Sequence, residues 1–219
     1  MKQDSVEPTQ APRVPRHLPR SGPLTLGDHS EIREVQLDEV VTPARGVSEV
    51  IIEQARLRRA SFASARVIRP RVSDAIFERC DFTAGEWIEA HFLRVEFEHC
   101  RMLGARWASL DAHQVRLTDC QCEGSFFVTS RLPGVRFERC SLRQASFEGA
   151  DLGGASFREC ILDEADFRGA NLAGADLRGC SLNGLRVEAR DLNGAIFDPA
   201  QSMQVAGLLG IVVKDLDAP

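Results

Sequence analysis

From Ala145 to Leu182 the chain reads ASFEG ADLGG ASFRE CILDE ADFRG ANLAG ADLRG CSL when broken every five residues. The first residue of each group is small (Ala145, Ala150, Cys160) and the third is large and apolar (Phe147, Leu152, Leu162). A period of five excludes both ordinary elements. On an α-helix five residues advance about 500°, so successive large residues would spread over every face. On a straight strand residues five apart point to opposite sides. A chain that bends once per five residues buries all of them, because each bend re-aims the large residue and its small neighbour at a common axis.

Cysteine spacing sets the size of one turn. Six of the seven cysteines, Cys80, Cys100, Cys120, Cys140, Cys160 and Cys180, recur at one constant interval of twenty positions. Four groups of five therefore make one turn, and the cysteines stack in a column about 4.8 Å apart, as neighbouring strands do. The column Trp87, Trp107, Phe127, Phe147, Phe167, Val187 is aromatic for five turns, and the column from Phe77 through Phe97, Leu117, Phe137, Phe157 and Leu177 to Phe197 is large throughout. Such a chain forms a four-sided tube.

The groups Ala150-Asp151-Leu152, Ala170-Asn171-Leu172 and Ala175-Asp176-Leu177 resemble the A-(D/N)-L-x-x motif of the pentapeptide-repeat family. About thirty groups in one phase make that resemblance specific. It implies an all-β solenoid, a right-handed quadrilateral β-helix in which four pentapeptides make one coil.

Taken in order, residues 1–30 are a Pro/Arg-rich segment, with Pro8, Pro12, Pro15, Pro19 and Pro23 around Arg13, Arg16 and Arg20, expected to be a disordered or loosely draped tail. Residues 31–50 are expected to cap the tube, since an open solenoid end exposes backbone and core. Residues 51–198 carry the repeat, which at four pentapeptides per coil gives about 7.5 coils and a length of roughly 36 Å. No apolar run is long enough for a signal peptide or a membrane span, so the expected location is cytoplasmic.

The repeat has departures. Pro70 fills a small slot. Leu110 holds another, with Ala112 in the large slot beside it, an exchange expected to conserve volume roughly. Cys122 underfills a large slot. Ser125 and Ser130 in small slots need backbone partners for their hydroxyls. Arg190 in a small slot predicts a distorted last turn.

After Phe197, Asp198-Pro199-Ala200-Gln201 combines an N-cap aspartate, a proline at the first helical position and a glutamine three residues after the cap. A short α-helix is expected, ending near Gly210, and residues 199–219 form the C-terminal segment. Its Met203, Val205, Leu208, Leu209, Ile211 and Val213 are too apolar for an exposed end. The segment plugs the tube, forms a homodimer interface, or does both.

The ending Ala206 to Asp215, AGLLGIVVKD, and the internal stretch Cys100 to Trp107, CRMLGARW, are similar to Qnr-type and albicidin-resistance members of the family. That resemblance, with the MfpA type, implies a homodimeric DNA mimic that binds DNA gyrase or topoisomerase IV and confers resistance to a topoisomerase-targeting antibiotic. Net charge is 0 for residues 51–100, +2 for 101–150 and −4 for 151–200. The acidic partner-binding candidates are Asp151, Glu159, Asp163, Glu164, Asp166, Asp176, Glu188 and Asp191, with Asp198 beside them. Two chains joined at their C-termini would gather these carboxylates at the centre of a rod about 70 Å long. The arginines Arg56, Arg58, Arg59, Arg66, Arg69 and Arg71 oppose mimicry along the whole rod and suggest a distal contact face. The phase holds without insertion from Phe77 to Phe197, so a protection mechanism that depends on loops is not expected.

The cysteine column lacks the close pairs of zinc motifs and is expected to serve as small buried hydrophobes. No metal, cofactor or direct nucleic-acid contact is expected. The five histidines, His17, His29, His91, His99 and His113, meet no nucleophile or carboxylate constellation that the sequence can place. The expected function is binding rather than catalysis, as a topoisomerase-directed DNA mimic or as a structural adaptor for another protein.

Overall fold

The computed structural model describes residues 9–43 and 46–214. The first eight residues, including Pro8 of the N-terminal segment, and residues 215–219, including Asp215 of the C-terminal motif, lie outside the described residues.

The chain bends once per five residues, as the period demands. Every fifth residue from Glu49 to Gly184 has a positive φ, between 50° and 73°. The left-handed region costs an L-residue about 1–2 kcal/mol, yet Arg59, Arg69, Asp74 and Arg94 all adopt it. The buried pair that each bend aims inward offsets that strain. From Gly169 to Gly184 the corner residue is always glycine, which adopts this φ without strain.

The four sides are named here by Ile51, Arg56, Ser61 and Arg66. All pairings are parallel, and along the repeat they join equivalent positions of successive coils, as in Ile52↔Val72, Phe92↔Ala112 and Phe137↔Phe157. The widest sheet crosses the corner between the Ile51 and Arg56 sides through the strands Ile51–Arg58, Arg71–Glu78, His91–Glu98 and Asp111–Thr118. It narrows to Arg136–Glu138 and Ser156–Arg158. The Arg66 side carries Val47–Ser48, Arg66–Ile68, Glu86–Ile88 and Arg106–Ala108. The Ser61 side is joined by single bridges such as Ser61↔Asp81 and Gln121↔Ser141.

One apolar core runs the length of the tube. Its phenylalanines stack at the rung spacing: Phe77 on Phe97 at 5.0 Å, Phe137 on Phe157 at 4.9 Å, and Phe147 between Phe127 and Phe167 at 5.0 and 4.9 Å. The middle is looser. Trp87 and Trp107 lie 5.7 Å apart and tilted by 39°, and neither indole N–H has a partner. Beside them the Leu110–Ala112 exchange does not fully conserve volume. An apolar cavity of about 20 Å³ remains, lined by both residues and by Phe92, Phe97 and Trp107.

The other departures behave as their chemistry requires. Pro70 stays buried in its small slot. The Ser125 hydroxyl donates to the Met102 carbonyl, and that of Ser130 donates to the Trp107 carbonyl at 2.9 Å. The last turn is distorted at Arg190, whose side chain swings out to 76% exposure while Asp191 turns in. The cysteine column is buried, and each of Cys80, Cys100, Cys120 and Cys140 donates to a carbonyl of the preceding coil. Burial pushes the Cys180 thiol up to about 11.

At the N-terminal end the tube starts earlier than residue 31. Arg20–Ser21 pairs with Gln36–Asp38 and Leu24–Thr25 with Val40–Val41, and Leu26 is buried. The described part of the proline-rich segment is draped along the tube. At the C-terminal end, Pro199–Gln201 forms a 3₁₀ turn leading into the helix Ser202–Leu208, and Gly210 closes it at φ 72°. The capping box forms: the Gln201 N–H donates to Asp198 at 3.1 Å and the Asp198 N–H to the Gln201 side chain at 2.9 Å. No helix among the described residues is long and apolar enough to cross a membrane.

Candidate functional site

The acidic residues singled out in the last coils were expected to present one partner-binding surface. The four-sided coil distributes them around the perimeter instead. Asp151 and Asp191 lie on the Ile51 side, and Asp176 on the Arg56 side. Asp163 lies on the Ser61 side, Asp166 and Glu188 on the Arg66 side, and Glu159 and Glu164 at corners. They form a collar rather than a face.

Several of these carboxylates are part of the coil. Asp151, Asp166 and Asp176 each accept the backbone N–H two residues on, from Gly153, Arg168 and Arg178, at 3.1–3.2 Å. This Asx turn also forms at Asp81 and Asn171, so the Asp or Asn of the repeat motif supports the bend that follows the large residue. The free exchange of Asp for Asn in that slot was the sequence signal for a turn role, because both side chains accept this hydrogen bond.

Arginines pair with most of the set. Arg168 reaches Asp166 at 2.6 Å, Arg178 reaches Asp176 at 2.7 Å, Arg143 reaches Asp163 at 2.6 Å and Arg190 reaches Glu188 at 2.8 Å. The Arg168 and Arg178 guanidiniums hold Asp166 and Asp176 below their ordinary range. Burial alone would raise Asp163, but hydrogen bonds from Ser181 and Asn183 and the charge of Arg143 outweigh it and lower its pKa. Asp191 is 7% exposed and accepts the Gly169 and Glu188 N–H groups, both at 3.0 Å. Asp166 and Asp191 are thus buried structural acceptors. The exposed carboxylates are Glu159, Glu164 and Glu188.

The arginine cluster is dispersed in the same way. Arg58 pairs with Glu78 at 2.8 Å and Arg69 with Glu49 at 2.9 Å, each across one coil, and the six lie on three sides and two corners rather than on one contact face. The Arg66 side adds a half-exposed apolar row, Ile68, Ile88 and Val128 with exposed Ala108 and Phe126, and Arg106 stacked over the Phe126 ring at 4.7 Å. Four histidines stand near carboxylates, as His29 does with Glu49 at 3.0 Å and His113 with Asp111 at 3.2 Å. Among the described residues no group of three or more His, Cys, Asp or Glu could hold a metal ion.

The six apolar residues of the C-terminal segment divide. Val205 and Leu208 pack on the core, and the buried Gln201 side chain donates to the Leu177 and Cys180 carbonyls at 2.9 and 3.0 Å, closing the last coil. Leu209 is half-buried. Met203, Ile211 and Val213 are 51–62% exposed, with Val212 beside them at 77%. The helix therefore plugs the tube on one face, with its Met203 exposed and Ile211, Val212 and Val213 exposed beyond its end.

A family model for a pentapeptide repeat region matches residues 90–167, and a model of eight pentapeptide repeats matches residues 160–198. Two trypsin-treated variants of QnrB1, a plasmid-mediated fluoroquinolone resistance protein, superpose with TM-scores of 0.70 and 0.65 at 19% identity, covering 91% of this chain and 100% of theirs. Full-length QnrB1 superposes at 0.54 with 18% identity, covering 88% of this chain and 100% of its own. No curated protein matches the sequence.

Proposed function

The chain belongs to the pentapeptide-repeat proteins, and we propose that it is a DNA-mimicking member that binds DNA gyrase or topoisomerase IV and confers resistance to a topoisomerase-targeting antibiotic. The observation that carries this reading is the charge gradient along a bar of constant cross-section. Residues 151–198 hold five arginines against nine carboxylates, a net −4, whereas 51–100 are neutral and 101–150 are +2. Local ion pairs leave that net charge unchanged. That stretch spans about 11–12 Å of axis, over which duplex DNA carries about seven charges. The acidic end thus has roughly half the linear charge of DNA, and it has it on all sides, as a duplex does.

The exposure of the apolar Met203, Ile211, Val212 and Val213 supports pairing of two copies through the C-terminal segment. That arrangement puts two acidic collars side by side at the centre of a rod about 70 Å long, a shape suited to a basic DNA-binding saddle. The likeness to QnrB1, itself a fluoroquinolone resistance protein, supports the antibiotic-resistance part. Gyrase and topoisomerase IV come from the Qnr-type resemblance of the 100–107 and 206–215 stretches, and the proposal includes a cytoplasmic site of action, where those enzymes work. The repeat phase carries no insertion from Phe77 to Phe197 and the coil departs from it only in the turn at Arg190, so mimicry here works through the bar and not through a projecting loop.

The test is a gyrase supercoiling assay with and without a fluoroquinolone, comparing the chain with a variant carrying Glu159→Lys, Glu164→Lys and Glu188→Lys. These three are exposed and lie outside the Asx turns, so their reversal keeps the turn acceptors and gives up only the Gln144 contact of Glu164 and the Arg190 pair of Glu188. The wild type is expected to inhibit supercoiling or rescue it from the drug, and the variant to do neither. Equal behaviour of the two proteins, or no effect of either, refutes the reading. The apolar row on the Arg66 side favours a second reading, an adaptor for another protein, and a gyrase-inactive chain would leave that one standing.

A further inference from the structure

Residues 9–18 lie along the corner between the Ile51 and Arg56 sides. The Arg13 N–H donates to Asp74 Oδ1 at 2.8 Å, and the Thr9 hydroxyl meets the Gly134 carbonyl at 3.5 Å. Asp74, Arg94, Gln114 and Gly134 form one corner column, so these anchors are three coils apart, about 14 Å. Four residues at full extension span about the same distance. The segment is a straight strap parallel to the tube axis. Pro12 and Val14 are half-buried while Ala11, Arg13 and Pro15 are exposed, the alternation of an extended chain on a surface.

Side chains beside the strap's Asp74 anchor are shielded from solvent. Ile76 points outward, yet it is only 8% exposed, whereas Ile196 in the same column is 43% exposed. Asp74 is 7% exposed and is held by two 2.6 Å hydrogen bonds from Arg94. Glu96, the next residue beyond Ile76 in that column, is pushed up by burial with only a loose 4.0 Å contact to Arg116.

The strap satisfies this surface incompletely. Within residues 9–18 those two contacts are the hydrogen bonds seen among the described residues, and regular pairing begins only at Pro19, whose carbonyl accepts the Gln36 N–H at 2.9 Å. Gln114 Oε1, in the column between the two anchors, is buried without a partner. Leu93, adjacent to Arg94, remains 40% exposed.

We propose that this corner, built on Asp74, Ile76, Arg94 and Glu96, is a docking groove for an extended, proline-bearing peptide segment of a partner protein. Residues 9–18 occupy it as an exchangeable strap. The strap defines the ligand's chemistry: an extended backbone, a free N–H opposite Asp74, and small or apolar side chains facing Ile76. A bulkier partner side chain covers Leu93 and a hydrogen-bond donor reaches Gln114, neither of which the strap achieves. The groove lies over coils that are neutral or net basic, before the acidic end, so it is independent of the topoisomerase reading.

The probe is a fluorescein-labelled peptide of residues 9–18, titrated against the full chain and against Arg13→Pro, which deletes the anchoring N–H and suits an extended backbone. A closed strap lowers apparent affinity by the fraction of open groove, so the variant is expected to bind the peptide at least about fivefold more tightly. Asp74→Ala in the variant is expected to abolish the gain, and a peptide carrying Arg13→Pro is expected not to show it. Equal affinity for both chains, or a gain that survives Asp74→Ala, overturns the proposal. Amide exchange in the wild type gives an independent check that needs no variant. The Arg13 N–H is expected to exchange far faster than core amides such as that of Phe147, and equal protection would make the strap a fixed part of the fold.

Discussion

Restoring the repeat at Leu110 and Ala112 is the sharpest test of how the core is packed. Both residues line the same apolar cavity of about 20 Å³, which at about 24 cal/mol per Å³ costs ~0.5 kcal/mol. Leu110→Ala alone enlarges the void and should cost about 2–5 kcal/mol. Ala112→Leu alone drives a large side chain against Leu110 and should cost about 1–3 kcal/mol. The double substitution returns small and large residues to their regular slots. It should lie within about 1 kcal/mol of wild type, giving a favourable coupling of about 2 kcal/mol or more between the two sites. Equilibrium urea denaturation of the four proteins measures all three differences, provided the m-value is unchanged. Additive single-site effects would refute the reasoning, because they would mean that the two side chains do not share one volume.

Other consequences follow from the same packing. Phe147→Ala removes a ring stacked on both sides, and should cost about 3–5 kcal/mol by urea denaturation. Gln201→Ala strands the Leu177 and Cys180 carbonyls at the closed end and should cost about 1–3 kcal/mol; amide exchange should quicken in the last coil before the middle of the tube. Asp74, Asp166 and Asp176 all have folded-state pKa values below the ordinary 3.8. Their stabilisation is present above that value and is lost as pH falls through the lowered ones, so thermal stability should drop below about pH 4. Glu96, raised by burial, contributes with the opposite sign, and Asp176→Asn should flatten the acid limb rather than steepen it.

Much of the fold was legible because one short rule governs it. The five-residue bend, the coil of four such bends, the aromatic columns, the serine hydroxyls needing carbonyls, the distortion at Arg190 and the Asp198–Gln201 capping box are all local or strictly periodic. The cavity was not legible, since a swap that conserves side-chain volume in sum need not fill the same space, as Leu110 and Ala112 show. The strap was hidden for a different reason. Residues 9–18 have the composition of an unstructured tail, and nothing local in them points to Asp74, far along the chain. The carboxylates were the harder case. A count of charge along the chain finds the acidic end, but their directions follow from position within the coil, which separates Asp151, Asp163, Asp166 and Asp176 onto four sides. Their pairing is set by reach two residues along one side, for Arg168 and Arg178, or across the rung, for Arg143, which a count does not register.

The most direct test of DNA mimicry is competition. Labelled chain bound to gyrase is titrated with linear duplex DNA, following anisotropy at rising salt. The account predicts that the duplex displaces the chain and that the chain's own affinity falls steeply with salt, as expected for two acidic collars on a basic surface. A stable ternary complex of chain, gyrase and duplex, or binding indifferent to salt, would contradict it.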